Sequence, residues 1–539
     1  MATFLLSECL EIIFSKLTEY PSNDIKKNVP TKDLYSCTLV SRHWCRVSTP
    51  LLYAYPFHHF RFNYSNINYY KLIRTLLSCI PKIEIKQIYK QTLQIPFLKI
   101  KNSKTNNNNL STFNYISFIN GFIFSKMILE TQMICNYYNK EIWLIEYKPK
   151  RITNESTITI MNYLIEFMCK HCNNNLIIFE FSSDIKYNIN DDIIKLLNFN
   201  NYVGKSKLSN LKELYYHSSS FNRYGNNFDL YFSNNICNLN LLFICYNGIN
   251  SIKIANILSQ FISSQKMLKH FILSGFERKN KSNFNLIHLF FHDYYNLVIN
   301  SLSTQNQSLQ ILEFRHFIFE YLNENVINSL KSLKNIRILK LFKCENLDFL
   351  HSWIKYLENF EVFEITMINN LIILNSTILI QLIQSFQSIQ SNVFTKLIIN
   401  DDNEENDYTQ LFQQIPLYLY SLTHLELPKI CPPELISIFI SCTKLVYISV
   451  LLLLNNELLM EILENLGESI PKTLKRIQFK RLSGNIHLTI SLELLTFFLK
   501  GYANNVGILE YLELGNKGNP INIITKQFGV QIIEYSHHI

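Results

Sequence analysis

The sequence predicts an α/β repeat protein: a short helical segment at the N-terminus, then a long stack of parallel strands with helices between them. Three observations predict it. An apolar triplet at positions i, i+3 and i+5 recurs from Leu211 onward, with starts 28, 29, 41, 27, 24, 34, 28, 23, 29 and 35 residues apart. The 539 residues exceed the roughly 100–200 that one ordinary domain organises, a limit that stacked repeats escape. Finally, 47% hydrophobic against 17% charged residues excludes a mostly disordered chain. Only 12 glycines weigh against phosphate-cradling loops and tight all-β architectures.

Residues 1–60 read as three short helices. Ser7 and Glu8 suit a helix start, and Leu6, Leu10, Ile13, Phe14 and Leu17 follow at helical spacing as an apolar stripe. Thr31 can cap a second helix carrying Leu34, Cys37 and Val40 at i, i+3 and i+6. Ser41-Arg42-His43-Trp44 opens a third, which Pro50 is expected to limit. So small a segment needs a partner or neighbour to complete its core.

Two stretches carry a family pattern. Leu5-Leu6-Ser7-Glu8-Cys9-Leu10-Glu11-Ile12-Ile13-Phe14-Ser15-Lys16-Leu17 is followed by Asp33-Leu34-Tyr35-Ser36-Cys37-Thr38-Leu39-Val40-Ser41-Arg42-His43-Trp44. Together they resemble the two halves of the F-box. Leu6 stands where that family has proline, and the connection from Thr18 to Lys32 is longer than usual. The resemblance implies docking on a Skp-type adaptor of a cullin–RING ubiquitin ligase. It implies Leu5, Leu6, Cys9, Leu10, Ile13, Phe14, Leu34, Val40 and Trp44 as adaptor contacts. Phe14 and Leu17 suit an internal core equally well.

Residues 61–140 form a Lys-, Asn- and Tyr-rich connecting region that includes the run Asn106–Asn109. Its basic stretch, Lys82, Lys86, Lys90, Lys99, Lys101 and Lys104, reads as a solvated helix or linker. The net charge of +9 is mild for this length, and no nucleic-acid partner is expected.

The repeat zone spans residues 141–539. Its units include Leu211-x-x-Leu214-x-Tyr216, Ile336-x-x-Leu339-x-Leu341 and Leu474-x-x-Ile477-x-Phe479, with weaker starts at Ile142 and Leu176. The last two apolar positions lie two apart, on one face of a strand. Helix-period apolar residues fill the gaps, among them Ile327, Leu330 and Leu333, and Leu459, Ile462, Leu463 and Leu466. The spacing lies in or just above the ~20–29 residues of leucine-rich repeats. A compact doubly wound protein is the alternative. The unit Ile336–Leu347 is similar to the cysteine-type leucine-rich repeats that accompany F-boxes, with Cys344 at the cysteine position, and Asn247 fills the equivalent place after Leu239. The predicted solenoid has strands on a concave face and helices on a convex one.

Residues flanking the second apolar position should point to the concave face. They are Glu213, Tyr215, His270, Glu313, Arg315, Lys340, Glu364, Lys396, His424 and Glu426, then Tyr447, Arg476, Gln478, Lys480, Tyr511 and Glu513. Their mixed signs fit a target protein better than a polyanion. Other chemistry is sparse. Cys169-Lys170-His171-Cys172 lacks the second ligand pair of a structural zinc site, and His292-Asp293 lacks a nucleophile with a recognisable elbow. No metal, cofactor or catalytic centre is expected. Thr366–Thr395 is too polar for a membrane span, and the start of the chain lacks signal-peptide character. With 12 scattered cysteines, these features lead us to expect reduced thiols in cytoplasm or nucleus. The function expected is a non-catalytic substrate receptor of a ubiquitin ligase, and the alternative is a repeat scaffold acting without a cullin.

Overall fold

The computed structural model describes residues 5–18, 31–57, 72–73, 75–81, 84, 113–123, 154–173, 176–182, 208–219, 236–247, 252–275, 287–367, 376–386, 393–401, 407–453, 459–480, 492–504, 509–514 and 529–534. They belong to two compact units, residues 1–248 with 264–266, and residues 249–263 with 267–539.

The first unit begins with three helices, α1 (Ser7–Thr18), α2 (Thr31–Thr38) and α3 (Arg42–Ala54). Leu10, Phe14, Leu34 and Val47 form their core, with Leu17, Cys37, Trp44, Leu51 and Leu52 packed around it. The ring of Trp44 meets Phe14 edge-on at 5.1 Å. Ser41 caps α3, its hydroxyl accepting from Trp44 N at 3.1 Å. Pro50 does not end the helix as expected: α3 continues to Ala54. Proline removes one backbone donor, but Leu51 and Leu52 beyond it pack on the core, and that burial sustains the last turn.

Four parallel strands complete this unit: β1 (Gly121–Ile123), β2 (Ile178–Ser182), β3 (Glu213–Ser219) and β4 (Leu241–Asn247). They pair in sequence order. Asn120 N donates to Ala54 O at 2.8 Å, joining the end of α3 to the start of β1. Gly121 allows this junction, because a Cβ there would lie 2.8 Å from the Tyr55 ring. Strand β1 was not foreseen within the connecting region. The basic stretch and the weaker repeat start at Ile142 lie outside the described residues.

The second unit carries β5 (His270–Ser274), β6 (Ile311–Arg315), β7 (Ile338–Phe342), β8 (Val362–Met367) and β9 (Lys396–Asp401). It continues with β10 (His424–Ile430), β11 (Tyr447–Leu452), β12 (Arg476–Phe479), β13 (Tyr511–Leu514) and β14 (Gln531–Glu534). All pair parallel and in order. Helices such as Glu324–Lys331, Pro432–Ser441 and Leu459–Glu468 alternate with them. Strand β14 follows no apolar triplet and was missed.

The triplets and the strands are locked together. Each strand from β2 to β13 begins two residues after its triplet starts: Leu176 before Ile178, Leu309 before Ile311, Ile336 before Ile338, Leu474 before Arg476. The apolar members are buried, as at Leu309, Leu312 and Phe314 or Leu422, Leu425 and Leu427. Alternate residues of one strand therefore point to opposite faces, as in β7, where Leu339 and Leu341 are buried between half-exposed neighbours. The result is a parallel α/β repeat sheet consistent with a leucine-rich-repeat solenoid.

Polar rungs connect successive repeats. Cys344 Sγ donates to Phe314 O at 3.3 Å, and burial pushes its pKa up to about 12. The side chain of Asn247, the other expected rung, lies outside the described residues. Further rungs lie before the strands. Gln265 Nε2 donates to Ile236 O at 2.8 Å, Gln305 Nε2 to Ile262 O at 2.9 Å and Ser421 Oγ to Phe394 O at 2.9 Å. The last three reach carbonyls outside the strands, and each rung contributes a net ~1 kcal/mol. No helix among the described residues is long and apolar enough to cross a membrane.

Candidate functional site

Two surfaces follow from this fold. The first lies on the helices of the first unit. Helix α1 is apolar on two sides: Leu10 and Phe14 turn inward with 0% and 1% exposure, while Ile12 and Ile13 turn outward with 64% and 48%, and Leu6 just before the helix is 69% exposed. On α2, Leu34 is buried and Tyr35 is exposed, and the turn that follows leaves Leu39 and Val40 in solvent. Leu5 and Cys9 are also exposed. His43 Nε2 lies 3.0 Å from Leu5 O and ties the start of the described chain to α3.

This arrangement divides the expected contact set into buried and exposed members. Leu10, Phe14 and Leu34 are buried in the interior that joins the three helices. Trp44 is half-buried against Phe14. The solvent-facing apolar side chains are Leu5, Leu6, Ile12, Ile13, Tyr35, Leu39 and Val40. Ile12, Tyr35 and Leu39 lie outside the expected set.

The second surface is the strand face opposite the buried triplets in the second unit. Two rows of side chains cross it. One runs through Lys396, His424, Tyr447, Arg476 and Tyr511, each the paired neighbour of the last. The other runs through Glu313, Lys340 and Glu364, then through Glu426, Ser449, Gln478 and Glu513.

The second row is closed on itself. Arg315 Nε donates to Glu313 Oε1 at 2.5 Å, His270 Nε2 lies 3.8 Å from its other oxygen, and Lys340 pairs with Glu364 at 2.8 Å. Burial alone would raise the Glu313 carboxyl, but the neighbouring His270, Arg315 and Lys340 outweigh it and hold its pKa down to about 2. Tyr447 and Ser449 both donate to Gln478 Oε1, at 2.8 and 2.7 Å, and Arg476 pairs with Glu513. Lys480 Nζ donates to Asn400 Oδ1 at 2.8 Å and lies 3.8 Å from Glu426. Glu313, expected to offer its charge to a target, is only 6% exposed. Its long neighbours cover it, so it organises the face from beneath.

The first row is the more open one. Arg476 stands over the Tyr447 ring with its guanidinium carbon 5.5 Å from the centroid, and the His424 ring lies 6.0 Å from the same ring. Burial first and Lys396 second lower the His424 pKa. In β3 of the first unit, Tyr215 OH donates to Glu213 at 3.1 Å.

The remaining motifs lie elsewhere. Cys169 and Cys172 are buried near the end of the helix Asn154–His171, where Cys172 Sγ donates to Cys169 O at 3.5 Å. Among the described residues no group of three or more His, Cys, Asp and Glu could hold a metal. His292 and Asp293 lie on the helix Ile287–Ser301, and Asn296 Nδ2 donates to His292 O at 2.6 Å.

No family model matches this sequence, and no curated protein does. Among solved structures, the chain is similar to the leucine-rich repeat-containing protein LegL7 from Legionella pneumophila. The identity is 14%, over 65% of this chain and 96% of that one, with a TM-score of 0.34. The assignment to a repeat fold rests on the sheet itself, with its parallel strands paired in sequence order and an apolar triplet starting two residues before each strand from β2 to β13.

Proposed function

We propose that this chain is a non-catalytic, F-box-like substrate receptor: α1 and α2 dock on a Skp-type adaptor of a cullin–RING ubiquitin ligase, and the strand face holds a target protein. The observation that carries it is the set of exposed apolar side chains Leu6, Ile12, Ile13, Tyr35, Leu39 and Val40, on and at the ends of helices whose interior is already filled. A segment that completes its own core and still exposes such a face is built for a second protein. The F-box pattern from Leu5 to Trp44 supports the adaptor as that protein. The receptor would act by proximity, raising the target's local concentration at the ligase without performing chemistry.

Binding of the full chain to a purified Skp-type adaptor tests this. Leu39→Asp with Val40→Asp is expected to weaken binding at least 30-fold, the ~2 kcal/mol of an interface hot spot. A folded wild-type protein that ignores the adaptor overturns the ligase role and leaves a repeat scaffold. The Leu10 and Trp44 positions are unsuited to this test, since changes there attack the fold.

A further inference from the structure

In the second unit, the open row of the strand face continues from Lys396 back toward β6, and its character changes there. Ile311, Ile338 and Val362 are paired neighbours on β6, β7 and β8, and Val362 is in turn the paired neighbour of Lys396 on β9. All four are half-exposed, on the face opposite the buried Leu312, Leu339, Phe363 and Leu397 that follow them. Three β-branched aliphatic side chains therefore lead, strand by strand, to one basic side chain.

Lys396 differs from other basic residues of this face. Arg315 meets Glu313, Lys340 meets Glu364, Arg476 meets Glu513, and Lys480 lies 3.8 Å from Glu426. Lys396 Nζ meets no carboxylate and no hydrogen-bond acceptor among the described residues. The carboxylates closest in register, Glu364 on β8 and Glu426 on β10, are the ones committed to Lys340 and Lys480. Burial first and Lys396 second lower the pKa of the adjacent His424, so its ring carries no charge at neutral pH. Where neighbours otherwise neutralise each other, the unmatched basic group is the place at which an outside carboxylate gains most.

We propose that this stretch binds an extended segment of the target protein in which an Asp or Glu adjoins aliphatic residues. The aliphatic side chains cover Ile311, Ile338 and Val362, and the carboxylate pairs with Lys396. The proposal rests on the reading of the strand face as the target-holding surface, and is independent of the adaptor. Three strand steps of ~4.8 Å separate Ile311 from Lys396, the length of about four to five residues of extended chain. The aliphatic residues therefore fall within that distance on one side of the acidic one. A basic residue in the acidic place would face Lys396 and be rejected.

The test is selection of random phage-displayed dodecapeptides on the immobilised full-length chain, then binding measurements on the enriched sequences as synthetic peptides. Enriched peptides are expected to carry Asp or Glu beside aliphatic residues and to exclude Lys and Arg from that place. Replacing the peptide carboxylate by its amide, or Lys396→Glu in the protein, should each weaken binding at least about 10-fold. Ile338→Thr, which keeps a β-branched strand residue, should weaken it about 5-fold. Peptides weakened by Ile338→Thr but indifferent to Lys396→Glu and to loss of their own carboxylate overturn the proposal and leave the strand face as the target surface. Peptides indifferent to both protein changes, or a selection that enriches none, overturn the proposal together with that surface. If Lys396→Glu does not fold, the amide peptides decide, with weakened binding in favour and unchanged binding against.

Discussion

The N-terminal helices and the strand face of the second unit treat their side chains in opposite ways. On and beside α1 and α2, apolar groups that could have been hidden are left in water, with Ile12 64% and Tyr35 56% exposed on the helices and Leu6 and Leu39 69% and 70% exposed at their ends. On the strand face, charged groups that could have been solvated are drawn against each other until Glu313 is 6% exposed. The difference separates availability from residue type. An apolar side chain is free for a partner when its own core is already full, and a charged one is unavailable when its neighbours neutralise it.

The comparison breaks most visibly at the core of the helices. Phe14→Ala removes a ring that is 1% exposed and packed on Trp44. Its expected cost is about 3–5 kcal/mol, enough to unfold α1–α3, read as loss of hydrogen-exchange protection there. The strand face is tested next, through pH. The folded-state pKa of Glu313, about 2, lies below its ordinary 4.5, so the stability it contributes is present above pH 4.5 and is lost as pH falls toward 2. The loss is on the order of 3 kcal/mol, and Glu313→Gln should remove that part of the acid transition in denaturant titrations at pH 2.5 and 6. The smallest effect sharpens the contrast: Leu39→Asp, at a site 70% exposed, should shift stability by less than about 0.5 kcal/mol. A larger loss in thermal unfolding would mean that Leu39 belongs to the core.

Most of the repeat sheet was legible because its signal is periodic and local. Three apolar residues at i, i+3 and i+5 encode one buried strand with its entry turn, and the constant two-residue offset shows that each unit obeys the same rule. Strand β1 was legible but overlooked, since Ile119-x-x-Phe122-x-Phe124 precedes it with the same two-residue offset, whereas β14 lacks a triplet and could not be read from that pattern. The rungs at Gln265, Gln305 and Ser421 escaped notice because the position of a polar rung varies relative to the triplet. On the helices, the apolar residues were all visible, but their division into inside and outside was not. Leu10 and Ile13 differ by three positions, and only the packing of α3 on α1 determines which of them is covered. The closed network around Glu313 was equally hidden, since it depends on side chains from neighbouring strands meeting across the sheet.

The register of the open row has a metrical consequence. Lys396, His424, Tyr447, Arg476 and Tyr511 occupy successive strands, each a step of about 4.8 Å. An extended chain laid across them advances about 3.3 Å per residue, so three of its residues span nearly the same length as two strands. The two scales form a vernier that comes into coincidence every second strand. Tyr447 and Tyr511 are such a pair, and Lys396 stands one further interval before them. A segment lying across this face would thus be sampled at every third residue, by tyrosine, tyrosine and lysine in turn, while the residues between fall out of step.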